Sequence, residues 1–221
     1  MNKFILFLFL ITGLVTTSCI EIIDDILIKN DGSGTFKYNI NLSSNKTKVN
    51  AVLVLDSLNG QRVPKINEIK ENFKKSKKIL SLQPGISNVI ITENYTDFIF
   101  KIQCDFTDVS SLQNGLKQVF LIFYSEEDKN NWVEWDGNKL TRSIPKITFP
   151  LIFTLSAKEE ELLKQGNYTS ITRFEKPISN FSNAHSILSK SKLALLLKVN
   201  IFNLKQNLNL IENQITINKT K

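Results

Sequence analysis

Apolar and polar positions alternate or recur with enough regularity along this chain to place most of its elements. From Ile20 to Lys29 apolar residues are interleaved with polar ones, and from Thr35 to Leu42 the residues Phe36, Tyr38, Ile40 and Leu42 alternate strictly with Thr35, Lys37, Asn39 and Asn41. Period-two alternation marks a half-buried strand. The intervening Asn30-Asp31-Gly32-Ser33-Gly34 supplies positive-φ positions, so the two strands form a hairpin. A second hairpin is predicted from Ile86 to Glu93 and Phe98 to Phe106, turning at Asn94 to Asp97, with Phe98, Phe100, Ile102, Cys104 and Phe106 on one face. A shorter one pairs residues around Trp132 and Trp135 with Lys139 to Ser143 across Asp136-Gly137. Tyr168 to Phe174 alternates like another strand.

Helical spacing appears between these hairpins. Pro64 pre-sets the first turn of a helix from Lys65 to Leu82, with Ile66, Ile69, Phe73 and Leu80 inward and Lys70, Lys74, Lys75, Lys77 and Lys78 outward. Pro84-Gly85 stops it. Val109 to Phe123 carries Leu112, Leu116, Val119, Phe120 and Phe123 at helical spacing, with Asp108 as N-cap. Ser156 is expected to cap a short helix through Lys164. Two stretches stay open. Residues after Ser43-Ser44, which offer cap oxygens, suit either a helix or a strand up to about Leu58. From Lys192 onward a heptad-like stripe competes with strand alternation, and strand, short helix, final strand is the reading taken. The sum is an α+β fold, a mostly antiparallel sheet built from hairpins with helices packed on one face.

The first nineteen residues, MNKFILFLFLITGLVTTSC, follow a different rule. Lys3 gives a positive start, Phe4 to Val15 form an apolar run, and Thr16-Thr17-Ser18 lead to Cys19. That run is too short to cross a hydrocarbon core about 30 Å thick, so it reads as a signal sequence. These residues resemble a Gram-negative bacterial lipoprotein signal with its lipobox. The resemblance implies that residues 1–18 are removed by the lipoprotein signal peptidase. Cys19 then carries diacylglycerol on its thiol and a fatty acyl chain, such as palmitate, on its amine. Ser18 and Cys19 match the two most demanding positions, while Thr16 departs from the usual Leu. Ile20, in place of Asp, implies outer-membrane sorting, with the domain facing the periplasm rather than the cell surface. Residues 19–221 are then one envelope domain with no Gly/Ser/Pro tether. The early acids Glu21, Asp24 and Asp25 sit among isoleucines in what reads as a strand.

Composition narrows the chemistry. The chain has 221 residues, a formal charge of +7, one His and two Cys. His185 lies in a polar loop, Ser182-Asn-Ala-His-Ser186, with no nucleophile elbow around it. Cys104 reads as a buried hydrophobe. No zinc site can be written with so few ligands, and no cofactor is expected. Asp31-Gly32-Ser33-Gly34 fails as a Ca²⁺ loop, because the twelfth position is Leu42, and as a phosphate loop, because a strand and not a helix follows it.

Basic residues are 25 Lys against Arg62, Arg142 and Arg173. Scarce Arg argues against nucleic acid, and attraction to anionic headgroups suits the charge better. Trp132 and Trp135 are expected on opposite faces of a strand, one in the core and one as a contact for an envelope protein partner. The function these features imply is a non-enzymatic binding or assembly module anchored by lipid on Cys19, with no catalytic residues. The alternative is a glycosidase-like envelope hydrolase built on two carboxylates, for which Glu126-Glu127-Asp128 and Glu159-Glu160-Glu161 are the visible clusters.

Overall fold

The structure is a computed structural model, and it describes residues 20–58, 61–123, 130–144 and 163–218. In chain order the elements are β1 (Glu21–Ile28), β2 (Gly34–Asn41), a 3-10 turn (Ser43–Asn45), α1 (Lys46–Leu53), β3 (Ser57–Leu58), β4 (Gln61–Arg62), α2 (Ile66–Leu82), β5 (Ile86–Asn94), β6 (Ile99–Phe106) and α3 (Val109–Phe123). There follow β7 (Val133–Trp135), β8 (Lys139–Arg142), β9 (Asn167–Phe174), β10 (Ile178–Phe181), β11 (Ile187–Leu188), β12 (Ala194–Asn200), α4 (Ile201–Gln206), a second 3-10 turn (Leu208–Ile211) and β13 (Asn213–Ile217).

Among the described residues a seven-stranded sheet runs β11-β12-β9-β1-β2-β6-β5, and a four-stranded sheet runs β10-β13-β8-β7. All pairings are antiparallel except β1 with β9, which places Ile22 beside Tyr168 and Asp24 beside Ser170 in parallel. The α+β expectation holds, as do the hairpins β1–β2, β5–β6 and β7–β8. The strand, short helix and final strand also appear, as β12, α4 and β13.

Alternation explains which face is covered. In β1 the residues Ile22, Asp24, Ile26 and Ile28 are buried while Glu21, Ile23, Asp25 and Leu27 are only partly so. The buried face carries three connected apolar clusters. The largest joins Ile26, Ile28, Phe36, Cys104 and Phe106 of the large sheet to Leu112 and Phe120 of α3 and to Val133, Leu140, Ile215 and Ile217 of the small sheet. A second holds Ile22, Tyr168, Leu197 and Val199 under Ile201 and Leu204 of α4. The third holds Phe98 and Phe100 under Phe73 of α2 and, on its margin, Val49 and Leu53 of α1.

The segment after β2 departs from expectation in detail. Neither serine caps α1: Asn45 is the N-cap residue, and no side chain accepts a hydrogen bond there. Instead the Asn41 side chain accepts from Ser43 N at 3.0 Å where the chain leaves the end of β2. The helix expected from Ser156 lies outside the described residues except at Leu163 and Lys164, which are helical.

Candidate functional site

Cys19 lies outside the described residues, but the structure begins at its neighbour. Ile20 is buried, and its carbonyl accepts a hydrogen bond from Asn167 N at 2.8 Å. Gly166 packs on it so closely that a Cβ there would stand 3.2 Å from Ile20 Cβ.

A groove of about 470 Å³ lies between α2 and β5. Its floor is apolar: Phe73 and Ile91, with Tyr95 from the β5–β6 turn. Phe73 stacks on Phe100 with centroids 5.1 Å apart, and Tyr95 meets the same ring edge-on at 5.3 Å. The rim is charged. Lys70, Lys74 and Lys77 fall at i, i+4 and i+7 and so line one helix face, with Glu71 of the same helix 3.9 Å from Lys74 Nζ and Glu93 contributed by β5. Lys70 Nζ lies 5.1 Å from the Tyr95 ring centroid, a cation–π arrangement. The Tyr95 hydroxyl donates to Glu93, and burial together with that carboxylate raises its pKa. An apolar floor with a rim of lysines and two glutamates can hold an amphiphilic group.

The second feature was not foreseen. Asp24 accepts from Arg142 Nη2 at 2.8 Å, with both side chains 4% exposed. It also accepts from Ser170 Oγ at 2.8 Å and from the Tyr168 hydroxyl. Burial first, and then the Asp24 charge, push the Tyr168 pKa well above its ordinary value. Arg142 lines a cavity of only about 10 Å³ with Ser170, Thr172 and Asn213, room for about one water. The Asp24–Arg142 pair ties the two sheets together. The neighbouring Asp25 points to the other face of β1, 2.8 Å from Arg173 Nη2. Partial burial raises its pKa, against the lowering by Arg173 and Lys37.

The remaining sequence candidates are dispersed. Cys104 is fully buried, and burial pushes its thiol up to about 12. His185 is exposed in the loop between β10 and β11. Trp132 is buried, edge-on to Phe120 at 5.2 Å, while its backbone N and that of Val133 each donate to Gln113 Oε1 at 2.8 Å. Trp135 is half-buried and stacks on Phe174 at 5.8 Å. Trp132 precedes β7 rather than lying within it. Asp31 accepts from Ser33 N and Oγ, closing the β1–β2 turn, and those bonds lower its pKa. The clusters at 126–128 and 159–161 lie outside the described residues. Among the described residues no group of three or more His, Cys, Asp or Glu could hold a metal ion. None of their helices is long and apolar enough to cross a membrane.

No family model matches the chain. No curated protein matches it either. Among solved structures it is similar to the folded domain of the LppM protein of Mycobacterium tuberculosis, determined by NMR. The identity is 9%, the match covers 91% of each chain, and the TM-score is 0.43.

Proposed function

We propose that this chain is a lipid-anchored lipoprotein of the Gram-negative cell envelope, attached to the outer membrane through Cys19, with its domain on the periplasmic side. The observation that carries the reading is the order of residues 3–19: one Lys, a twelve-residue apolar run, a small polar stretch and then Cys19. The thiol becomes a thioether to diacylglycerol, and each buried CH₂ adds about 0.8 kcal/mol to membrane retention.

The domain itself is a binding or assembly module rather than an enzyme. Two arrangements support this. Asp24, the buried carboxylate, is engaged by Arg142, Tyr168 and Ser170, and its neighbour Asp25 faces the opposite side of the sheet. Neighbouring carboxylates on opposite sheet faces cannot flank one scissile bond. The groove over Phe73, Ile91 and Tyr95 is the surface the domain offers to an envelope partner.

Replacing Cys19 by Ala tests the anchor. The variant is expected to lose labelling by radioactive fatty acid and to move to the soluble fraction. Full membrane retention of the unlabelled variant contradicts the reading.

A further inference from the structure

We propose that the end of the large sheet at Glu21 is a membrane-contact surface that rests on anionic headgroups, fixing the domain end-on. The inference rests on Cys19 being lipidated and goes beyond it, because a lipid anchor alone leaves orientation undefined when a flexible tether intervenes. Here none does. Ile20 is buried and hydrogen-bonded to Asn167, and adjacent Cα atoms are about 3.8 Å apart, so an acyl glycerol on Cys19 enters the bilayer beside the sheet end.

The anchor also emerges centrally, because β1 is the fourth of seven strands. On one side the chain leaves β2 at the same end, where Leu42 N donates to Phe98 O and Lys46 Nζ lies 3.5 Å from Asp97. It then forms α1, which turns Val49 and Leu53 toward Phe98 and Phe100 and leaves Lys46, Lys48 and Asn50 exposed. Directly after α1, Val54 is 78% exposed and Leu55 39%. Residues 42–55 contain two lysines and no carboxylate.

On the other side α4 starts at the same sheet end. The Asn200 side chain accepts from Phe202 N at 2.9 Å and donates to Lys164 O at 2.6 Å. Lys164 Nζ lies 5.6 Å from the Phe202 ring, and Lys205 follows one turn later. Two elements flanking the anchor thus present lysines beside apolar side chains. Among the described residues the acids near this end are Glu21, Asp56, Glu93 and Asp97; Asp97 faces Lys46, Asp56 lies 2.8 Å from Lys65 Nζ, and Glu93 accepts from the Tyr95 hydroxyl. Lysine beside the exposed aliphatic Val54 and Leu55 and the half-buried Phe202 matches the interfacial zone of an anionic bilayer. The opposite turn, Asn30–Gly34, stands about 23 Å further from the membrane at about 3.3 Å per strand residue.

The test uses the lipidated full-length protein in vesicles of phosphatidylcholine, with or without about a third phosphatidylglycerol. Single fluorophores are placed at Asn50→Cys and Asn203→Cys near the proposed surface, and at Asn30→Cys and Lys190→Cys away from it. Buried Cys104 takes no label. A headgroup nitroxide lipid should quench the near pair at least about twofold more than the far pair. Quenching should deepen in the anionic vesicles, and Val54→Ser with Leu55→Ser should weaken it at position 50. Equal quenching at all four positions overturns the orientation, and equal quenching in both lipids overturns the role of headgroup charge. Fatty-acid labelling of the same samples reports separately on Cys19: its absence removes the anchor, and this inference with it.

Discussion

Asp24 Oδ1 stands 2.8 Å from Arg142 Nη2, and through that pair β1 of the large sheet is tied to β8 of the small one. A buried ion pair adds little net stability over an apolar pair of like volume, but losing one partner strands the other charge. Arg142→Met is therefore expected to cost about 3–5 kcal/mol, read as a shift of the urea midpoint of the mature protein. Adding Asp24→Leu should recover much of that loss. A single-variant loss below about 1 kcal/mol contradicts the placement.

Two glycines should respond in opposite degree. A Cβ at Gly34 would stand 1.9 Å from Leu27 O and 2.5 Å from the Phe106 ring, so hairpin and core must both shift. Gly34→Ala is expected to cost about 3 kcal/mol or more. Gly137 has φ +94 but nothing within 4 Å of a Cβ. Gly137→Ala should cost only about 1 kcal/mol, from the positive φ alone. Thermal unfolding of the two variants ranks them.

Acid should act through Asp108. Its carboxylate accepts from Ser111 N at 2.8 Å and from Ser111 Oγ, capping α3, and those bonds lower its pKa. A depressed folded pKa means stability present above the unfolded value near 3.9 and lost as pH falls through the folded one. Asp108→Ala should cost about 1 kcal/mol at pH 7, and the gap from the parent should shrink below about pH 3.

Asp25 runs the other way. Its raised folded pKa means that stability falls as pH rises from the unfolded value through the folded one. Asp25→Asn should therefore be neutral or slightly stabilising at pH 7 and without effect near pH 3. Urea midpoints at the two pH values check the sign.

Thiol chemistry separates the two cysteines. Cys104 is fully buried, with a pKa pushed up to about 12, so it should resist alkylation in the folded protein and react on unfolding. With Cys19 acylated, the folded mature protein should show no reactive thiol and the unfolded one a single thiol. A thiol that reacts in the folded state contradicts one of the two assignments.

Local pattern was legible where each strand buries one face. Phe36 to Leu42 and Phe98 to Phe106 alternate because one side meets helices and the other water, and Val109 to Phe123 repeats at helical spacing for the same reason. Pairings between distant segments were not. The parallel contact of Glu21–Ile28 with Asn167–Phe174 spans more than a hundred residues, and nothing in either strand names its partner. Asp24 reads as one of several early acids, yet it lies in register with Ile22 and Ile26 on the buried face. What makes that burial tolerable is Arg142 and Tyr168, far along the chain. Gln113 likewise resembles a solvated helix residue, but it accepts from two backbone amides beside Trp132. The Phe73–Ile91–Tyr95 groove exists only once α2 lies along the sheet edge. The anchor reading rests on residues 3–19 alone and was legible without any fold.

Mass spectrometry of the N-terminal peptide from the membrane-extracted protein reads the attachment at Cys19 itself. The mature chain is expected to begin at Cys19, with a diacylglyceryl thioether and an acylated amine followed by Ile20-Glu21-Ile22. A chain that begins at any other residue, or at a Cys19 bearing a free thiol, contradicts it.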